Sequence, residues 1–149
     1  MLRAPRLIRP DHIAPHRHTE RVRFGDTDAA GIVYYANYLR WFEAGRAELM
    51  RAHGLPYHEL VEQGAYLPVV ESWCRYVASA RYDDEIEVQS WVHELHHATL
   101  LVAHQIVHVA RDQLLAEGAA RLGCVTPSGR PTRLPARLTQ ALRAQSTVR

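Results

Sequence analysis

The chain has 149 residues, enough for one domain around one hydrophobic core. Hydrophobic residues make up 47% and charged residues 23%, ordinary proportions for a soluble globular protein. No apolar run reaches the roughly 18–20 residues that cross a bilayer. The formal charge is only +2, and the arginines are scattered without a stripe of stacking aromatics, which argues against a nucleic-acid surface.

Residues 1–17 mix Arg, Pro and His without a period and read as a flexible extension, with a turn at Pro10-Asp11-His12. Arg3, Arg6 and Arg9 are not followed by an apolar stretch, so no cleaved leader is expected. A first strand is predicted over His18–Phe24, with Val22 and Phe24 on one face. The small-residue run Asp26-Thr27-Asp28-Ala29-Ala30-Gly31 then turns the chain into a helix predicted over Tyr35–His53. Tyr38, Trp41, Phe42, Gly45, Leu49 and Ala52 recur at spacings of three and four and mark its buried stripe. Gly45 costs roughly 1 kcal/mol in mid-helix and implies close approach to a sheet. Gly54 and Pro56 stop the helix, and a short helical turn follows before Gly64.

From Tyr66 the period becomes two. Strands are predicted over Leu67–Ser79, Asp84–His93, Thr99–Ala110 and Leu114–Thr126, the last two joined by a tight turn at Arg111-Asp112. The small-residue face Ala116, Gly118 and Ala120 fits a tightly packed helix or a partner's backbone. One helix and a meander of strands make an α+β layer, an antiparallel sheet of about five strands around one long helix. An open sheet edge makes a homodimer or homotetramer the physical expectation. Residues 18–135 form the domain, and 136–149 a short amphipathic tail. Cys74 and Cys124 read as small buried hydrophobes in a reducing cytoplasm.

The chemistry is carried by the turn before the helix. A carboxylate there lies beside backbone N–H groups that have no partner within the helix, and such groups cradle developing negative charge. An ionised Asp28 facing that cradle can attack a carbonyl or activate water. The alternative for Asp28 is an Asx turn bonding local amides. Asp26 is read as the residue holding the turn.

The motif Asp26-x-Asp28-x-Ala30-Gly31-Ile32-Val33-x-x-x-Asn37-Tyr38, with Ala80-Arg81-Tyr82-Asp83-Asp84-Glu85-Ile86, resembles the 4-hydroxybenzoyl-CoA thioesterase-like branch of hotdog-fold acyl-CoA thioesterases. The resemblance covers about residues 18–135. It implies the hotdog fold, hydrolysis of an acyl or aroyl thioester, and no cofactor beyond the CoA of the substrate. Asp28 falls on the position of the catalytic acid, and Tyr35 on the position whose backbone N–H polarises the thioester oxygen. The relatives associated with the Tol-Pal envelope system carry histidine at that second position, and this chain does not. Gly31, Val33, Tyr34, Asn37, Tyr38, Val69, His96 and His97 are the expected substrate contacts. For Gly31 either a close backbone approach to the substrate or a positive φ is expected, and for Asn37 either a cap or a loop-fixing hydrogen bond. Relatives carry Arg or Lys at the turn of His96-His97-Ala98, where they meet CoA phosphates. Here Arg75, Arg81 or Arg121 are the candidates to compensate, and a carrier-protein thioester is the alternative substrate. A non-catalytic acyl- or CoA-binding module is the alternative function.

His104 and His108 would lie about 13 Å apart along one strand, too far to share an ion. His93, His96 and His97 fall at a strand end. No metal site is expected.

Overall fold

The computed structural model describes residues 4–148. Strand β1 (His16–Arg21) leads through a short helical turn and a loop to helix α1 (Asn37–Ala52) and helix α2 (Tyr57–Glu62). Strands β2 (Val69–Tyr76), β3 (Glu85–Leu95), β4 (Thr99–His108) and β5 (Gln113–Gly123) follow, then helix α3 (Ala136–Leu142) and strand β6 (Ser146–Val148). The sheet order is β1-β3-β4-β5-β2, all antiparallel, with β6 added parallel to β3. Among the described residues no helix is long and apolar enough to cross a membrane.

Helix α1 lies across one face of the sheet. Its Tyr38, Trp41 and Phe42 pack on Ile86, Val88, Ile106 and Ala116, while Leu49 and Met50 join a second cluster with Leu100, Val102 and Leu122. Met50 takes the buried place expected of Ala52, which is exposed. Two glycines set the distance. A Cβ on Gly45 would stand 2.6 Å from Ser90 Oγ and Val88 Cγ1, and one on Gly118 would stand 2.6 Å from Phe42 Cε2. The close approach expected of Gly45 is therefore real, and the small face of β5 receives the helix.

Several boundaries move. Strand β1 ends at Arg21, Val22 is buried, and Phe24 stands 77% exposed, edge-on to Tyr82. The chain leaves the strand because the Asp26 carboxylate accepts the Arg23 N–H at 2.8 Å and curls Phe24–Asp26 into a helical turn. Trp91, on the opposite face of β3 from the helix, is also buried. Ile13 covers it together with Ala103, and Leu7 packs against them, so this part of the N-terminal segment lies on the sheet. At the other terminus Leu138 and Leu142 of α3 are fully buried in the cluster around Leu49. Strand β6 continues the β3 edge past the end of β1, pairing with Val92 and Glu94 where β1 pairs only up to Ser90. Strand β2 is left as an edge, with most of its side chains exposed.

Gly45→Ala sets two effects against each other. Better helix propensity is worth roughly 1 kcal/mol, whereas overpacking costs about 1–3 kcal/mol. A contact of 2.6 Å to the fixed Val88 makes overpacking win. Urea denaturation should show a net loss of about 1 kcal/mol; a stabilised variant would contradict the close packing.

Candidate active site

The loop between β1 and α1 closes on itself. Thr27 and Val33 form an antiparallel bridge, the Asp28 N–H donates to Ile32 O at 2.9 Å, and the Gly31 N–H donates to Asp28 O at 3.0 Å. Gly31 has φ +72°, the left-handed conformation expected of it. Asp28 is exposed at the tip, with Oδ1 accepting the Ala30 N–H at 2.8 Å. This is the Asx turn. It occupies one carboxylate oxygen, and the other has no bonded partner among the described residues.

Asp26 does the opposite work. It is buried, its carboxylate accepts the Arg23 N–H and meets Arg40 at 3.5 Å, and its carbonyl accepts both the Tyr34 N–H at 2.9 Å and Asn37 Nδ2 at 2.8 Å. Of the two roles open for Asn37, its side chain takes the loop-fixing one. The residue preceding α1, Ala36, supplies no side-chain cap.

The first turn of α1 leaves amides free. Asn37, Tyr38 and Leu39 donate to the carbonyls of Tyr34, Tyr35 and Ala36, but the N–H groups of Tyr35 and Ala36 have no acceptor among the described residues. These are the orphan donors of a helix start. Tyr34 and Tyr35 are exposed beside them with ring centroids 4.8 Å apart. The Tyr34 phenol is pushed up, first by its hydrogen bond with Tyr35 and least by the Asp28 charge. Val33 and Tyr38 lie behind this surface in the core. The Val33 N–H donates to Ala80 O, and the Tyr38 hydroxyl accepts the Ala80 N–H at 3.1 Å. Nearby Cys74 is half-buried, and burial pushes its thiol up to about 11, so it carries no thiolate at neutral pH.

The remaining candidates lie elsewhere. Arg81, just before β3, donates to Gly31 O at 3.3 Å and belongs to the Asp28 end. His96 and His97 lie beyond the other end of β3, about 30 Å away at about 3.3 Å per residue. Val69 is also at that end, paired with Leu122, which pairs with Leu100. One chain does not bring the two groups together. Of the arginines expected to compensate at the histidine turn, Arg75 pairs with Glu117, and Arg121 with Glu71 and Glu94. Instead His96 and His97 line a cavity of about 1010 Å³ with Arg133 and Arg143, neither of which has an ion-pair partner among the described residues. Sequence reading missed both arginines because they stand in the segment after β5 and show no motif.

A family model described as the thioesterase-like superfamily matches residues 22–142. The chain belongs to the thioesterase-like superfamily. With the family come the expected hotdog fold and the enzyme class, a thioester hydrolase. The acyl-CoA thioester hydrolase YbgC of Escherichia coli is 34% identical over 77% of this chain and 86% of its own length. The 4-hydroxybenzoyl-CoA thioesterase of Pseudomonas sp. is 32% identical over 58% of this chain and 64% of its own. A solved 1,4-dihydroxy-2-naphthoyl-CoA thioesterase from Synechocystis superposes with a TM-score of 0.80, covering 86% of this chain and 95% of that one. Its 21% identity speaks for the fold alone.

The histidines of this thioesterase-like chain serve separate purposes. His108 pairs with Asp84 at 3.3 Å, whereas His104 stacks on Phe42 beneath α1 and shares a hydrogen bond of 2.8 Å with Ser90 Oγ. Among the described residues no three His, Cys, Asp or Glu side chains converge as metal ligands. Burial, then the charge of Arg46, pushes His104 down to about 3. Its Nε2 is buried without a partner.

The folded state therefore binds fewer protons than the unfolded chain, in which histidine titrates near 6.5. Stability should be level above pH 6.5 and fall as pH drops from there towards 3, by at most about 1.4 kcal/mol per pH unit for this one group. His16 and His93 are shifted the same way by burial and add to the slope. Urea midpoints of His104→Gln between pH 7 and pH 5 should show a shallower decline than the parent. An identical decline would remove His104 as the cause.

Proposed function

We propose that this thioester hydrolase cleaves acyl-CoA or aroyl-CoA at the loop before α1, with Asp28 as the reacting carboxylate and the Tyr35 backbone N–H as oxyanion donor. The observation that carries the reading is one exposed loop holding both a carboxylate with an unbonded oxygen and amides without acceptors among the described residues. Asp28 either attacks the thioester carbon, expelling CoA thiolate and leaving a mixed anhydride for water to cleave, or removes a proton from the attacking water. In both courses negative charge develops on the thioester oxygen, where fixed N–H dipoles stabilise it without reorganising. The thiolate leaves readily and needs no strong acid. Gly31 lets the backbone come close, and Tyr34 and Tyr35 flank the acyl group with aromatic faces. Val33 and Tyr38 support the loop from behind, and Asn37 holds the helix start to it.

The CoA phosphates suit the cavity of His96, His97, Arg133 and Arg143, with Val69 at its side of the sheet. Because that cavity lies far from Asp28 of the same chain, the reading favours a homo-oligomer in which one copy binds the nucleotide of a thioester cleaved on the other. The exposed β2 edge offers the pairing surface. Two free cysteines suit a reducing compartment such as the cytoplasm.

Asp28→Asn keeps the Asx turn, since the amide oxygen still accepts the Ala30 N–H, but removes the nucleophile and base. Release of free thiol from benzoyl-CoA and long-chain acyl-CoA should fall by about 10²–10⁴-fold with melting behaviour unchanged. Turnover at the parental rate in a clean preparation would rule Asp28 out.

A further inference from the structure

Tyr76 closes the edge strand β2 and reaches across to the start of α1, 41 residues away in sequence. Its hydroxyl donates to Tyr35 O at 3.0 Å. Its ring stands edge-on to Tyr38, with centroids 5.2 Å apart, and to Tyr35, at 6.4 Å. Tyr38 is fixed, being buried and bonded through its hydroxyl to Ala80. The backbone just after Tyr76 is fixed too, because the N–H groups of Val77 and Ala78 both donate to Leu115 O. Tyr76 is therefore a strut between the rigid sheet and the first turn of the helix.

The carbonyl it holds is otherwise weakly held. Within the first turn Tyr35 O receives only the Tyr38 N–H, at 3.4 Å, against 3.0 Å for the preceding bond from Asn37 to Tyr34 O. The peptide joining Tyr35 to Ala36 is planar and trans, so its C=O and N–H point in opposite directions. Holding the oxygen towards Tyr76 aims the Ala36 N–H the other way, where it meets no acceptor among the described residues. A hydrogen bond received at the carbonyl also polarises the amide and strengthens its N–H as a donor.

We propose that Tyr76 is a positioning residue, whose hydroxyl aims and polarises the Tyr35–Ala36 peptide so that the Ala36 N–H serves as a second oxyanion donor beside that of Tyr35. This rests on the reading that the thioester oxygen is bound at the start of α1. Burial foremost, and then neighbouring Cys74, pushes the Tyr76 phenol up, which keeps it protonated and donating throughout the neutral range. During the reaction Tyr76 exchanges no proton with substrate. The bond it makes is to the backbone, and its contribution, present at the bound carbonyl, grows as charge develops on the thioester oxygen.

Tyr76→Phe removes the hydroxyl and keeps the ring. With benzoyl-CoA, kcat should fall about tenfold at unchanged KM, less than the roughly 10²–10³-fold that follows loss of an oxyanion donor itself. A second measurement separates aiming from packing. In the inert Asp28→Asn background, infrared difference spectra of bound benzoyl-CoA labelled at the thioester carbonyl should show a red-shifted C=O stretch, and Tyr76→Phe should move it back towards its position in water. An unchanged kcat or an unchanged carbonyl stretch in Tyr76→Phe, with Asp28→Asn inactive, would overturn the role of Tyr76 and leave the Asp28 reading standing. Full turnover by Asp28→Asn would overturn both.

Discussion

The site depends on one buried carboxylate that takes no part in the chemistry proposed for it. Asp26 accepts the Arg23 N–H where β1 ends, and its carbonyl accepts the Tyr34 N–H and the Asn37 amide where α1 begins. Strand end, loop and helix start are tied through a single residue. Because Asp26 satisfies those donors, Asp28 two residues on is left outside with one oxygen uncommitted. Charge-assisted hydrogen bonds to a shielded carboxylate are among the stronger local restraints available to a loop. Asp26 thus holds the loop, and Asp28 is left free for the reacting role proposed for it.

The second constraint is the separation of helix and sheet. Gly45 and Gly118 let α1 sink until Phe42 lies on the backbone of β5 and stacks on His104. A depth set by missing side chains is rigid, because atoms in contact cannot be compressed further. The start of the helix inherits that rigidity, which oriented amides need if they are to stabilise charge without moving. A neutral histidine beneath the helix accompanies this arrangement, desolvated and half-satisfied.

Charge is distributed unevenly along the sheet. At the Asp28 end arginines are used locally, Arg40 near Asp26 and Arg81 on the Gly31 carbonyl. At the far end Arg133 and Arg143 face a cavity lined by no carboxylate among the described residues. A substrate with a reactive acyl end and a polyanionic end suits such a polarity, although the span within one chain is long. The open β2 edge and the exposed aromatics at the helix start are free surface, on which the proposed pairing of two copies rests.

The sequence by itself determined the features that local sterics and hydrogen bonding set. The helix is written in its three- and four-residue spacing, the strands in their alternation, the sunken helix in Gly45, and the turn in the two aspartates and Gly31. Tertiary structure alone decided which apolar residues face inward where no period is visible. Phe24 is outside because Asp26 captures the backbone before it, and Trp91 is buried because Ile13 returns to cover it. It also decided that Tyr76 braces Tyr35, and that the histidine turn is joined by arginines from the last segment rather than by Asp28. Each of these is a contact between stretches far apart in the chain. Such contacts leave no repeat or spacing in the sequence, since they are set only when the sheet order and the helix depth fix which distant segments meet.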